Sequence, residues 1–185
     1  MDPHITILTE KIAALESELE AELAKRRAEL RVGLENGKVI FEEEILRRHR
    51  ELRTTLSRYI LSAHPLVIAT APVIYSLIFP LLLLDLFITT YHAICFPVYG
   101  IAKVCRGDYF IFDRHHLSYL NALEKINCAY CSYANGLIAY VREIAGRTEK
   151  YWCPIKHARR AIGVHSQYSH FRDYGDAAAF RGTLT

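Results

Sequence analysis

Positive charge is missing from one long part of the sequence, which has no lysine or arginine from residue 65 to residue 102. The same stretch has a single acidic residue, Asp85. An apolar run of this length excludes a simple water-soluble domain and predicts a membrane segment. Because a long charged stretch precedes the run, we do not expect it to be a cleaved secretion signal.

The sequence also lacks the short motifs of the common enzyme classes. It has no nucleophile elbow, no glycine-rich phosphate loop, no His-Glu-x2-His motif and no paired carboxylates in a recognisable frame. The formal net charge is only +3, and the basic residues cluster beside the apolar run, where they suit lipid headgroups better than nucleic acid. These absences favour a protein that is not an enzyme and identify no small-molecule substrate.

The apolar run is too long for one straight crossing of a bilayer. As a single helix from residue 65 to residue 104 it would measure about 60 Å, roughly twice the hydrocarbon core. Division at Asp85 gives two helices, 66–84 and 86–104, of about 29 Å each. At the turn, Asp85 avoids the cost of about 3 kcal/mol that a carboxylate incurs inside a membrane. The sequence predicts a helical hairpin within 59–104, either transmembrane or re-entrant.

Basic residues flank both ends of this hairpin. Those before it are Arg47, Arg48, Arg50, Arg53 and Arg58, and those after it are Lys103, Arg106 and Arg114. Positive flanks stay inside the cell, so we expect both termini in the cytoplasm, where thiols are kept reduced. His92 lies inside the second predicted helix and is a candidate functional residue by its position alone.

The N-terminal arm, residues 1–58, has a countable apolar repeat. Two series recur every eleven residues: Leu8, Leu19, Leu30, Phe41 and Leu52, and Ile12, Leu23, Leu34, Ile45 and Leu56. Such a repeat gives a nearly straight apolar stripe, suited to self-association or to a partner membrane protein, although an ordinary amphipathic helix packed on its own domain fits equally. Asn36-Gly37 predicts a tight turn or small hairpin, with helices over 5–31 and from residue 42 into the membrane.

After the membrane segment, residues 105–162 predict a cytoplasmic helical domain. A long helix is expected from an N-cap at Asp113 to about Ala145, with Gly146 as its stop. A polar stripe follows one face of this helix: Asn121, Glu124, Cys128, Cys131, Asn135 and Arg142. The tail, 163–185, lacks periodicity and is predicted to be flexible.

Two short Cys and His motifs stand out in this domain. Cys128 and Cys131 form a Cys-x2-Cys pair, and Cys153 and His157 form a Cys-x3-His pair at the predicted start of a second helix after Pro154. Three thiolates and one imidazole are a common tetrahedral zinc set, so we predict a structural zinc site that clamps two helices. Iron or an iron-sulfur cluster, thiol redox work, and inert packing are the alternatives, and Cys105 could replace His157 as a ligand.

The segment "FDRHHLSYLNALEKINCAYCSYANGLIAYVREIAGRTEKYWCPIKHARR" resembles the core of a family of uncharacterised bacterial membrane proteins. The resemblance covers roughly Leu52 to Arg160 and implies a location in the bacterial inner membrane, without implying an activity. The sequence as a whole predicts a mainly α, membrane-anchored zinc scaffold or adaptor that faces the cytoplasm. It would self-associate or recruit a membrane partner, and the alternative is a membrane-associated electron-transfer or thiol-redox protein.

Overall fold

The computed structural model describes residues 3–29, 32–35, 38–41 and 43–182. This part of the chain is mainly helical, as predicted, with one small two-stranded sheet. The α-helices are α1 (Pro3–Glu29), α2 (Glu43–Glu51), α3 (Leu56–Ser62), α4 (Pro65–Ser76), α5 (Ile78–Tyr99), α6 (Ala122–Trp152) and α7 (Ala177–Arg181). Short 3₁₀ helices lie at Arg106–Asp108, Asp113–His116 and Ser166–His170.

The chain divides into two compact units. The first comprises Met1–Arg58 and Asp113–Lys125, and the second comprises Tyr59–Phe112 and Ile126–Thr185. The second unit therefore combines the predicted membrane segment with most of the predicted Cys/His domain, which the sequence separates at residue 104.

In the first unit, helix α1 leads into a hairpin of strands β1 (Val32–Glu35) and β2 (Lys38–Phe41). The strands are antiparallel, with Val32 opposite Phe41 and Glu35 opposite Lys38. This confirms the small hairpin predicted around Asn36-Gly37, whose two turn residues, like Leu30 of the apolar repeat, lie outside the described residues.

The helix predicted from residue 42 into the membrane is interrupted twice. Helix α2 ends at Glu51, α3 spans Leu56–Ser62, and α4 starts afresh at Pro65. The second break has a local cause, because a residue that precedes proline avoids the helical conformation. His64 is accordingly extended, at φ −63° and ψ 134°, and its ring caps α4 by accepting the Leu66 amide at 3.3 Å.

The turn predicted at Asp85 is wrong, because Asp85 lies inside α5. The only interruption between Pro65 and Tyr99 is Leu77, which keeps right-handed helical angles, φ −64° and ψ −12°. Pro80 explains it, since proline cannot donate to the carbonyl four residues earlier. The pair α4–α5 forms one 35-residue helical stretch that is long and apolar enough to cross a membrane.

Helix α6 starts later and ends later than the sequence predicts. Asn121 caps it: its Oδ1 accepts the Glu124 amide at 3.0 Å, while Glu124 Oε2 accepts the Asn121 amide at 2.8 Å. This reciprocal pair is a capping box, and the predicted cap, Asp113, begins a separate 3₁₀ helix instead. Pro154 ends α6 rather than starting a new helix. A residue before proline avoids the helical conformation, so the helix stops at Trp152, before Cys153.

In the second unit, α6 runs beside α4–α5 in the same direction. Contacts advance in step along both: Tyr130 donates to the Ile74 carbonyl at 2.9 Å, and Tyr140 meets His92 at 3.1 Å. The connecting segment returns between them and closes a core of Phe96, Val104, Tyr140 and Ile144. Gly136 is buried in α6 and allows this return, because a Cβ there would lie 2.5 Å from the Tyr109 carbonyl oxygen.

The segment predicted as a flexible tail packs against the unit as far as Asp173. Ile155 and Arg172 form a parallel bridge, and Phe171 is buried at 4% exposure. Lys156 donates to Asp173 at 2.8 Å, and this hydrogen bond lowers the pKa of the Asp173 carboxyl. Buried Phe171 explains why a stretch without periodicity is nevertheless placed.

Candidate functional site

An ion pair lies at the middle of the apolar helix. Both guanidinium nitrogens of Arg106 donate to the Asp85 carboxylate at 2.6 Å, one to each oxygen. Such a two-pronged contact is the strongest form of a charge-assisted hydrogen bond in proteins. The Asp85 side chain is 15% exposed and that of Arg106 is 41% exposed, so the carboxylate is the more enclosed partner.

Two hydroxyl groups complete the coordination of Asp85. Tyr133 of α6 donates to Oδ2 at 2.9 Å, and Thr89, one helical turn further along α5, donates to Oδ1 at 3.1 Å. The Arg106 guanidinium also stacks over the Phe110 ring, 4.0 Å from its centroid. Each carboxylate oxygen therefore accepts two hydrogen bonds, and the charge on the apolar helix is fully neutralised.

His92 lies two turns after Asp85 on the same face of α5, although the predicted hairpin puts Asp85 in the turn and His92 well inside the second helix. Its Nε2 accepts the Val104 amide at 2.9 Å, so this nitrogen carries no proton. Its Nδ1 shares a hydrogen bond with the Tyr140 hydroxyl at 3.1 Å. The imidazole is thus neutral and buried, and it fixes the returning backbone to both helices.

These contacts define the candidate site, which we call the polar clamp: Asp85, Thr89, His92, Arg106, Tyr133 and Tyr140. Its members come from α5, from the connection after α5, and from α6. The side chains hydrogen-bond to one another, and both oxygens of the Asp85 carboxylate are occupied by these bonds. The clamp therefore has the chemistry of a positioning element that holds three chain segments together at the depth of the apolar helix.

The sequence carries a signal for this clamp that the hairpin prediction obscured. Asp85, Thr89 and His92 are spaced four and then three residues apart, which places them on one face of an uninterrupted helix. From its position, Arg106 fits equally a membrane-flanking cation. Its pairing with Asp85, 21 residues earlier, depends on the chain doubling back after Gly100, which adopts the left-handed φ of 67° and ends α5.

The predicted zinc ligands are not brought together. Cys128 and Cys131 lie one turn apart near the start of α6, with Cys128 half-buried and Cys131 exposed. Cys153 follows the end of the same helix, and its amide still donates to the Glu149 carbonyl at 2.7 Å. A continuous helix of 25 residues separates Cys128 from Cys153 by about 37 Å. The predicted return of the chain near Gly146 is wrong, which leaves the two halves of the site apart.

Gly146 lies inside α6, where its lack of a side chain allows close contact with His165. A Cβ at this position would come within 2.6 Å of the His165 ring, whose Nε2 pairs with Glu149 at 2.9 Å. Within the described residues, no three or more His, Cys, Asp or Glu side chains are arranged to hold a metal ion. Zinc or iron binding stays a prediction that elemental analysis of the reduced protein can test.

His157 lines a small cleft on the C-terminal segment. The cleft has a volume of about 220 Å³ and is also bordered by Arg142, His165 and Tyr168. The His157 backbone amide donates a hydrogen bond to the Tyr168 hydroxyl oxygen at 2.7 Å. Arg142 of the predicted polar stripe donates to the Val164 carbonyl, and Asn135 donates to the Cys131 carbonyl at 2.9 Å. These two side chains of the predicted stripe therefore bond to backbone carbonyls of the chain itself.

Comparison with known proteins adds no relative. No family model, curated protein or solved structure matches this chain. The function therefore has to be argued from the residues and contacts of the chain itself.

Proposed function

We propose that the protein is a membrane-anchored helical scaffold that self-associates through its N-terminal helix. The observation that carries the proposal is the outward surface of α4–α5. Many large apolar residues along it leave more than half of their surface exposed, among them Leu66, Val67, Val73, Phe79, Leu83, Leu86, Phe87 and Val98. Lipid chains are the natural cover for a surface of this length and composition.

The inward surface of the same helix supports the anchor. His92 and Phe96 are its buried residues, and its one charge, Asp85, is held by Arg106. A helix with its polar groups turned to protein and its apolar groups turned outward is the pattern expected of a segment in contact with lipid. Basic residues at both ends of the stretch favour cytoplasmic termini.

The scaffold role rests on the arrangement of the polar groups. In an enzyme, at least one acid, base or nucleophile of the site has to remain available to a substrate. The groups of the polar clamp instead satisfy one another, and the four predicted zinc ligands are split between the first half of α6 and the residues after its end. This geometry supports anchoring and assembly better than catalysis.

Flotation tests the anchor. Full-length protein mixed with phospholipid vesicles is expected to rise with them through a density gradient and to stay bound after washes with high salt and alkaline carbonate. Apolar contact survives both treatments, whereas attachment by the flanking basic residues alone is lost in salt. Protein that stays at the bottom of the gradient, or that is washed off by salt, contradicts the anchor.

The self-association surface is the exposed face of α1. Leu8, Ile12, Leu15, Leu19 and Leu23 are all exposed, from 44% to 64%. Their spacing of four, three, four and four residues gives one stripe along a 27-residue helix. Glu22 with Lys25 and Arg26 with Glu29 form ion pairs on this helix. A second copy of α1 offers a matching stripe, so we propose that two or more copies associate through it.

A Leu15→Lys, Leu19→Lys double variant is expected to lower the mass of the detergent-solubilised particle to that of one chain. Two cations at the centre of an apolar helix pair lose their burial and repel their copies. Light scattering coupled to size-exclusion chromatography gives the mass. A Glu16→Lys, Glu18→Lys variant adds more positive charge to the same helix and should keep the larger particle. Equal masses for wild type and both variants would refute the assembly role of α1.

A further inference from the structure

Three aromatic side chains gather where α5 and α6 end beside each other. The Tyr99 ring stacks on Tyr151, with 5.3 Å between centroids, and meets Trp152 edge-on at 5.5 Å. Although they touch, Tyr151 and Trp152 remain 46% and 58% exposed. We call these three residues the aromatic end. Much of the surface of these rings is exposed and available for contact with something other than the chain itself.

Four charged side chains in the last turns of α6 face a different neighbour. Their partners lie in the segment 164–167: Arg142 with the Val164 carbonyl, Glu143 with Ser166, Glu149 with His165, and Lys150 with Gln167. The C-terminal segment thus takes up the polar side of α6. The aromatic end, by contrast, lies on the side that α6 shares with the apolar helix α5.

The middle of helix α6 carries no charged residue. From residue 126 to residue 141 it has no Asp, Glu, Lys, Arg or His. These 16 residues are about 24 Å long and run beside the middle of α4–α5. Ile126 and Ile138 leave 58% and 57% of their surface outward. The two parallel helices therefore lie side by side over a stretch in which α6 carries no charge, and the aromatic end lies further along in the same direction.

Cations lie close to this end. The Arg147 guanidinium donates to the carbonyls of Ala102 and Lys103, at 2.8 and 3.2 Å, and so brings exposed Lys103 beside α6. Tyr and Trp concentrate where hydrocarbon gives way to headgroups, and Lys and Arg follow just outside. Aromatic rings and cations therefore lie together where the apolar helix α5 ends, as they do in the headgroup layer of a bilayer.

We propose that the aromatic end is a lipid-binding surface that sits among the phospholipid headgroups and sets the depth of α5 and α6. The proposal rests on the membrane anchor and adds to it that α6, although expected in the cytoplasm, lies against the bilayer with α5. The occupant is the headgroup layer of a bilayer containing anionic lipid, which the nearby cations favour.

Trp152 reports on this directly, since it is the only tryptophan of the protein. Full-length protein is bound to phosphatidylcholine vesicles with phosphatidylglycerol, in which the phosphatidylcholine carries bromine either close to the headgroup or near the end of the acyl chain. We expect a larger loss of Trp152 emission with the shallow bromine than with the deep one, and a shift to shorter wavelength on binding. Tyr99→Ala should weaken the preference for the shallow bromine, whereas Tyr174→Ala, in the exposed C-terminal segment, should not.

The outcomes separate the two proposals. Vesicle-bound protein whose Trp152 is quenched more by deep bromine, or by neither, overturns the headgroup site while leaving the anchor intact. A Tyr174→Ala variant that acts like Tyr99→Ala overturns the site too, because the effect would not belong to the aromatic end. Protein that fails to float overturns both.

Discussion

Replacing Arg106 by methionine is expected to lower the free energy of unfolding by about 2 kcal/mol. The substitution keeps most of the side-chain volume but removes both hydrogen bonds to Asp85, which are 2.6 Å long. Asp85 then keeps only Tyr133 and Thr89 on an apolar helix, where an unpaired carboxylate is costly. We set the effect below that of a fully buried pair because the Arg106 side chain is 41% exposed. Unfolding in mixed detergent micelles, followed by circular dichroism, measures it.

The matched comparison is the double variant Asp85→Leu, Arg106→Met. It removes the carboxylate together with its partner and should recover most of the lost stability, because paired charges at such positions are often replaceable by apolar residues. Arg160→Met, an exposed arginine outside the clamp, should change stability little. A double variant as unstable as Arg106→Met alone would show that packing of Arg106 on Phe110, rather than its charge, holds the connection.

Gly136→Ala is expected to destabilise the protein by about 1–3 kcal/mol, even though alanine is the better helix former. The added Cβ would lie 2.5 Å from the Tyr109 carbonyl oxygen and 3.4 Å from the Phe110 Cα. Both are backbone atoms, so the connection has to move away from α6, and Arg106 moves with it. Thermal unfolding in detergent gives the loss as a lower midpoint.

Gly107→Ala is the control for this second substitution. It lies in the same connecting segment, and the nearest atom to its added Cβ is the Cys105 sulfur at 3.9 Å, an ordinary contact. Its stability should stay close to that of the wild type. If Gly136→Ala were neutral or stabilising, the connection would not lie against α6 as described, and the polar clamp would lose its geometric basis.

Together these two predictions test whether a non-helical connection is held between two helices at the depth of the apolar segment. Irregular backbone is tolerated at membrane depth only where protein covers it and satisfies its polar groups. His92 accepts the Val104 amide, and Gly136 allows the Tyr109 carbonyl to approach α6. The polar clamp thus satisfies polar groups of the connection, and Gly136 allows the connection to be covered by α6.

Local features of the sequence determined much of the secondary structure. The absence of charge identified the apolar segment, Asn36-Gly37 placed the hairpin, and the pattern after residue 120 indicated a long helix. These succeed because they depend on neighbouring residues: turn conformations, helix period and the solvation of side chains. Helix ends depend on more than one residue. Asp113 and Asn121 are both good cap residues, but only Asn121 has a glutamate three residues later that returns the hydrogen bond.

Only the tertiary structure decided the site. A charge inside an apolar run can be accommodated by a turn at the membrane surface or by a partner at depth, and the sequence pattern fits both. Arg106 resolves the choice, because it neutralises Asp85 within a continuous helix. The cysteines show the reverse: their spacing suits zinc only if α6 folds back, whereas α6 continues through Gly146, whose missing side chain leaves room for the His165 ring. Motif spacing counts residues along the chain, whereas a ligand set or an ion pair depends on distances that the packing of the helices fixes.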